Sequence, residues 1–166
     1  MGVRVGLLSL ALLGSGVAWA DPLWSVSVEG GSTLPFPFNR NTVRGTVGVT
    51  ADRTLWELVD LGLGVRVGMA EIATDVAVTA RARLRLQRGV LAFLFGVRAG
   101  YAAIHVDRGE LGSLWTGALL IAPTSQVSLA FTDWLDVSIT ALTLSFYWNR
   151  LLIVAFEPTL SLDLRF

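Results

Sequence analysis

The chain contains no cysteine, which excludes disulfide scaffolds, cysteine nucleophiles, thiolate metal sites and a lipidated N-terminal cysteine. It contains no lysine either. Every basic residue is an arginine, whose guanidinium stays ionised and forks onto carboxylates, a choice that suits buried charge. A single histidine, His105, and scattered carboxylates offer no recognisable ligand spacing, so no metal or other cofactor is expected. An excess of one charge sign is also missing. Thirteen basic and thirteen acidic residues are interspersed along the chain, which gives nucleic acid no patch to bind. Long apolar runs are absent after residue 20: residues 90–104 are interrupted by Arg98, and residues 114–122 are too few and end at Pro123. Yet 53% of the residues are hydrophobic, so the chain needs some way other than a helical span to present apolar surface.

The amino terminus has the layout of a secretory signal peptide. Arg4 supplies the positive start, residues 6–13 the apolar stretch, and Ala18-Trp19-Ala20 a small-x-small cleavage site before Asp21-Pro22. Residues 1–20 are therefore read as the signal peptide and residues 21–166 as one domain.

From Trp24 onward the pattern has a period of two, as expected when the two faces of a strand meet different environments. Trp24, Val26 and Val28 alternate with Ser25, Ser27 and Glu29 before a proline-rich connection at 33–41. A second run sets Val47, Val49 and Ala51 against Arg44, Thr46 and Thr50 and turns at Asp52-Arg53. A third sets Leu61, Leu63, Val65 and Val67 against Asp60, Gly62, Gly64 and Arg66. After a connection at 70–74, Val76, Val78, Leu84 and Leu86 alternate with Asp75, Arg81, Arg83 and Arg85 up to a tight turn at Gln87-Arg88-Gly89. Phe93, Phe95, Val97 and Tyr101 then lie opposite Leu94, Gly96, Arg98 and Ala102, followed by a polar segment at 105–113. A sixth run reaches Phe131, and Thr132-Asp133 turns into a seventh, which slips phase at Ala141-Leu142 and predicts a β-bulge. Trp148-Asn149-Arg150 connects to the eighth, which alternates to the last residue. The expectation is an all-β, eight-stranded antiparallel up-and-down transmembrane β-barrel. Ten strands would follow if Pro123-Thr124-Ser125-Gln126 were a turn, because proline cannot donate to a ladder.

Alternation alone does not say which face is outside. Three observations favour an apolar exterior. Arginines occupy strand centres with glycines beside them on their own face, as in Gly64-Val65-Arg66-Val67-Gly68 and Gly96-Val97-Arg98-Ala99-Gly100, which makes room inside a narrow barrel. An antiparallel pairing about 70–74 brings Asp60 near Arg83, with Arg81 and Arg85 on the same face, whereas arginines turned to lipid would cost roughly 2–4 kcal/mol each at the midplane. Aromatic residues gather toward strand ends as two interfacial girdles, Trp24, Trp56, Trp134 and Phe166 at one rim and Tyr101, Trp115, Tyr147 and Trp148 at the other. The interior is then lined by Glu29, Arg44, Asp60, Arg66, Asp75, Arg81, Arg83, Arg85, Arg98, Asp136, Glu157, Asp163 and Arg165, joined as a network of charge-assisted hydrogen bonds.

The last seven residues, Leu160-Ser161-Leu162-Asp163-Leu164-Arg165-Phe166, resemble the C-terminal strand of Gram-negative outer-membrane β-barrels, in which a terminal aromatic is what the insertion machinery recognises. By pattern the whole of residues 21–166 is similar to the small OmpX-like and OmpA-like barrels. The resemblance implies an outer-membrane location, both termini in the periplasm, contact with outer-membrane lipid and lipopolysaccharide, and engagement of the barrel-assembly machinery by the last strand. The short outer connections depart from those barrels and leave little surface for adhesion.

The function expected is structural or envelope-stabilising. Three alternatives stay open: a narrow arginine-lined path for small solutes, a lipid A-modifying enzyme, and a soluble periplasmic barrel with an apolar ligand inside. For catalysis, His105 shares an outer segment with Asp107, Glu110 and Ser113, but no family motif is matched and no catalytic residue is assigned. Gly62-x-Gly64-x-x-x-Gly68 opens no helix and is not a dinucleotide fingerprint.

Overall fold

A computed structural model describes residues 23–37, 43–107, 109–149 and 152–166, so the signal peptide expected at 1–20 lies outside the described residues. The strands are β1 (Leu23–Phe36), β2 (Arg44–Leu55), β3 (Val59–Met69), β4 (Ala73–Arg88), β5 (Leu91–Asp107), β6 (Ser113–Ala130), β7 (Leu135–Trp148), β8 (Leu152–Phe156) and β9 (Thr159–Arg165). Each pairs antiparallel with its neighbour in sequence, except that β8 and β9 are two halves of one span, both lying between β7 and β1. The pairing of β1 with β2 on one edge and with that last span on the other closes the sheet into an eight-stranded barrel. The chain runs up and down around it, and closure leaves no sheet edge unpaired.

The two prolines that threaten the pattern are absorbed differently. Pro123 stays inside β6, opposite Val97, so Pro123-Thr124-Ser125-Gln126 is strand and the ten-strand count falls. Glu157-Pro158 interrupts the final span without turning it, since Thr143 O accepts from Glu157 N at 2.9 Å and Pro158 O from Ser32 N at 3.2 Å. The phase slip in β7 is a bulge: Thr140 pairs with Gln126 and Leu142 with Ser125, leaving Ala141 without an opposite residue.

The turn expected at Asp52-Arg53 lies four residues later. β2 continues to Leu55 because Asp52 points inward, and the hairpin closes through Trp56 and Glu57, both with positive φ, with Leu58 N donating to Leu55 O at 3.1 Å. Likewise β1 runs through Thr33 to Phe36, shortening the expected proline-rich connection, whose residues 38–41 lie outside the described residues. The start of β1 and the last residue reach the same rim, where Trp24 N donates to Phe166 O at 3.1 Å and Phe166 N to Trp24 O at 2.9 Å.

Large apolar side chains cover the outside of the barrel. Leu63 is 69% exposed, and Val28, Val49, Val65, Val78, Phe95, Ile121, Ile139 and Leu162 surround the waist at comparable levels. Charged and polar side chains fill the inside: Asp60, Asp75 and Glu157 are completely buried. An exterior of this kind in water would be a continuous apolar patch far beyond what soluble proteins tolerate. The barrel is a transmembrane one. Among the described residues no helix is long and apolar enough to cross a membrane; the strands cross it.

Candidate functional site: the barrel lumen

The inward side chains sort into two ion-pair networks and an apolar cluster. The first network lies toward the rim that carries the termini. There Asp52, Asp60, Asp136 and Asp163 face Arg81, Arg83, Arg85 and Arg165, four charges of each sign. Arg81 grips Asp52 with two nitrogens, Nε donating to Oδ1 at 2.7 Å and Nη2 to Oδ2. Arg83 and Arg85 share Asp60, their Nη2 atoms donating to Oδ2 at 3.3 and 3.0 Å. Arg165 donates to Asp136, and Asp163 accepts from Ser27 and from Ser138 Oγ, the latter at 2.7 Å.

The second network sits toward the opposite mouth. Glu29, Asp75 and Glu157 face Arg44, Arg66 and Arg98, three of each sign. Glu157 is its centre. One oxygen accepts from Tyr147 Oη at 2.7 Å and from Thr33 Oγ1 at 3.2 Å; the other accepts from Arg98 Nη2 at 2.8 Å and from Arg66 Nη1. Arg98 also donates to Glu29 Oε1 at 3.0 Å, and Arg44 donates to Asp75 Oδ1 at 2.7 Å while lying over the Tyr147 ring. Each network is neutral by itself, which is how buried charge becomes tolerable: the desolvated ions meet opposite ones, except Asp163, which is held by two serine hydroxyls.

Glycine supplies the space these long side chains need. A Cβ on Gly68 would run into the Asp75 carboxylate, one on Gly62 into that of Asp52, and one on Gly48 would stand 2.9 Å from Glu29 Oε1. Beside the second network, on the wall formed by β4 to β8, the interior is apolar. Ala77, Ala102, Ile104, Ala118, Leu120 and Ala155 pack with the Tyr147 ring, with Asp75 beside Ile104 on the neighbouring strand.

All thirteen charged residues expected inside are found on the inner face, with Arg165 the most accessible because it stands at the rim. Two members were missed. Asp52 was read as a turn residue, although it shares parity with Thr46 and Thr50 and so faces inward with them. Tyr147, expected in the outer aromatic girdle, is instead 1% exposed and sits in the lumen. The reason is the bulge: beyond Ala141 the odd-numbered residues Thr143, Ser145 and Tyr147 turn inward. The other seven aromatics face outward. Trp24, Trp56, Trp134 and Phe166 ring the terminal end, and Trp115 and Trp148 stand at the other. Tyr101 pairs within the band with Val78 and Leu119, and its hydroxyl lies over Gly117, where a Cβ would collide with it.

Among the described residues no hydrogen bond or ion pair joins His105 to Asp107, Glu110 or Ser113. His105 lies 4.8 Å from the Trp115 ring, centroid to centroid, Asp107 Oδ1 accepts from Gly109 N at 2.8 Å, and Glu110 sits in a single exposed 3-10 turn at Gly109–Leu111. Among the described residues no three His, Asp or Glu side chains are grouped to hold a metal.

No family model matches the chain, and no curated protein does. Solved structures match in fold. Neisserial surface protein A is 10% identical, with 89% of this chain and 98% of that one covered at a TM-score of 0.70. The N-terminal β-barrel domain of Pseudomonas aeruginosa OprF is 13% identical, with coverages of 86% and 97% and a TM-score of 0.60. Ail, the attachment invasion locus protein of Yersinia pestis, is 9% identical, with coverages of 89% and 100% and a TM-score of 0.55. At such identities the likeness is one of fold, and the fold is that of small outer-membrane β-barrels.

Proposed function

We propose that this protein is an integral outer-membrane barrel with a structural, envelope-stabilising role and a lumen that does not conduct. The observation that carries this reading is the filling of the interior by two neutral ion-pair networks backed by an apolar cluster. Conduction needs an open, wetted path with ligands weak enough to release an ion, whereas most of the charged groups here are engaged with one another across a narrow lumen and the apolar cluster beside them offers an ion no ligand. The exterior band and aromatic rims suit contact with outer-membrane lipid and lipopolysaccharide. The exposed terminal Phe166 on an alternating strand suits capture by the barrel-assembly machinery, and the termini would lie in the periplasm.

Planar-bilayer recording of the purified barrel tests the reading. The expected result is no steady current at low or high salt; a reproducible conductance with anion preference would replace it with the solute path. A strain lacking the gene should gain sensitivity to detergent that the wild-type gene reverses, and an unchanged envelope would remove the stabilising role.

A further inference from the structure

Between the two networks, midway along the lumen, lies a cavity of about 20 Å³. Its lining includes Arg81, Arg83 and Arg98, one carboxylate, Glu29, and the polar side chains of Gln126 and Thr143. Three guanidiniums and one carboxylate face the cavity, while the carboxylates paired with those arginines, Asp52, Asp60 and Glu157, stand outside the lining. Most donors of the three arginines are committed. Arg81 is taken up by Asp52 and Ser27, Arg83 Nη1 by Gln126 and Nη2 by Asp60, and Arg98 Nη1 and Nη2 by Glu29 and Glu157.

Two donors are left over. Arg83 Nε and Arg98 Nε are buried and have no hydrogen-bond partner. Leaving a buried N–H of a charged group unpaired is expensive, and arginine can neither accept a hydrogen bond nor shed its proton to escape the cost. The missing partner must therefore be an acceptor, small and preferably anionic. A cavity of this size has room for about one or two waters.

We propose that the cavity is a binding site for one monatomic anion, a halide, held by Arg83 and Arg98 in the middle of the barrel. The anion would satisfy donors that the protein's own carboxylates do not reach. Such a site needs no current through the lumen and stands whether or not the barrel conducts.

Bromide makes the site visible. The membrane-extracted protein, unfolded in urea and refolded into detergent with sodium bromide, is crystallised and its anomalous diffraction recorded at the bromine edge. The expected result is one buried peak within hydrogen-bond reach of Arg83 and Arg98. T143L, which fills the cavity with an apolar side chain, should lose the peak while keeping the heat-modifiable gel mobility of a folded barrel. R83Q should lose it as well; if that variant does not fold, T143L alone decides. Bromide confined to the barrel exterior with a water refined in the cavity, or a buried peak that survives T143L, would overturn the proposal.

Discussion

Glu157 shows at the scale of one residue what holds this interior together. It is fully buried, and four donors from four strands converge on its two oxygens. Removing its charge leaves Arg66 and Arg98 without the carboxylate they share. Breaking a buried pair from one side typically costs about 3–5 kcal/mol, because the remaining ion stays desolvated. E157Q is therefore expected to lower the unfolding free energy in lipid vesicles by about that amount, read from a urea titration; a loss under about 1 kcal/mol would mean that the network is not what secures the lumen. The period of two is enough to place Glu157 on the polar face. It does not name its partners, since Arg66 and Arg98 come from strands on other parts of the wall, 91 and 59 residues away in sequence.

The informative element is β7. Before the bulge its even-numbered residues Asp136, Ser138 and Thr140 face in, and after it the odd-numbered Thr143, Ser145 and Tyr147 do. Ala141 and Leu142 both face out. The phase slip was legible from the apolar residues alone, and carrying it through to Tyr147 would have placed that ring inside. The bulge also makes an unusual deletion tolerable. Without Ala141 the strand regains strict alternation, Thr140 in, Leu142 out, Thr143 in, so ΔAla141 should fold to a heat-modifiable barrel. Deleting Ser138 also removes the slip, but it turns Ile139 into the lumen and Thr140 toward lipid before native parity returns at Leu142, so ΔSer138 should give a weaker folded band on gels than ΔAla141. A ΔAla141 chain that fails to fold while ΔSer138 folds would refute this account of β7. The turn at Trp56-Glu57 was not legible. Two successive positive φ values normally call for Asn-Gly or Asp-Gly, and this chain has neither there.

At the scale of the whole molecule the barrel inverts the usual rule of burial, with charge inside and hydrocarbon outside. The inversion is stable only where the outside is lipid. Leu63, 69% exposed at the waist of β3, provides the direct check. L63R should destabilise the barrel in lipid vesicles by roughly 2–4 kcal/mol, while the same substitution at a rim position costs about 1 or less. A neutral or stabilising effect at Leu63 would mean that this surface does not meet hydrocarbon.

The sequence alone determined the face of the thirteen charged residues expected inside, because successive side chains on a strand point to opposite sides whatever the strand pairs with, whereas Tyr147 and Asp52 were misplaced where a bulge and a turn were read wrongly. From that followed the number of spans, their up-and-down order and the ladder contacts near each turn, such as Asp60 opposite Arg83. Only closure of the barrel decided which charges meet across the lumen. Ser27 meets Asp163 at a separation of 136 residues because closure makes β1 and β9 neighbours, and Arg66 on β3 reaches both Glu157 and Tyr147 because curvature and strand stagger bring opposite walls together. Those quantities belong to the closed sheet and are not written into the alternation of any one strand.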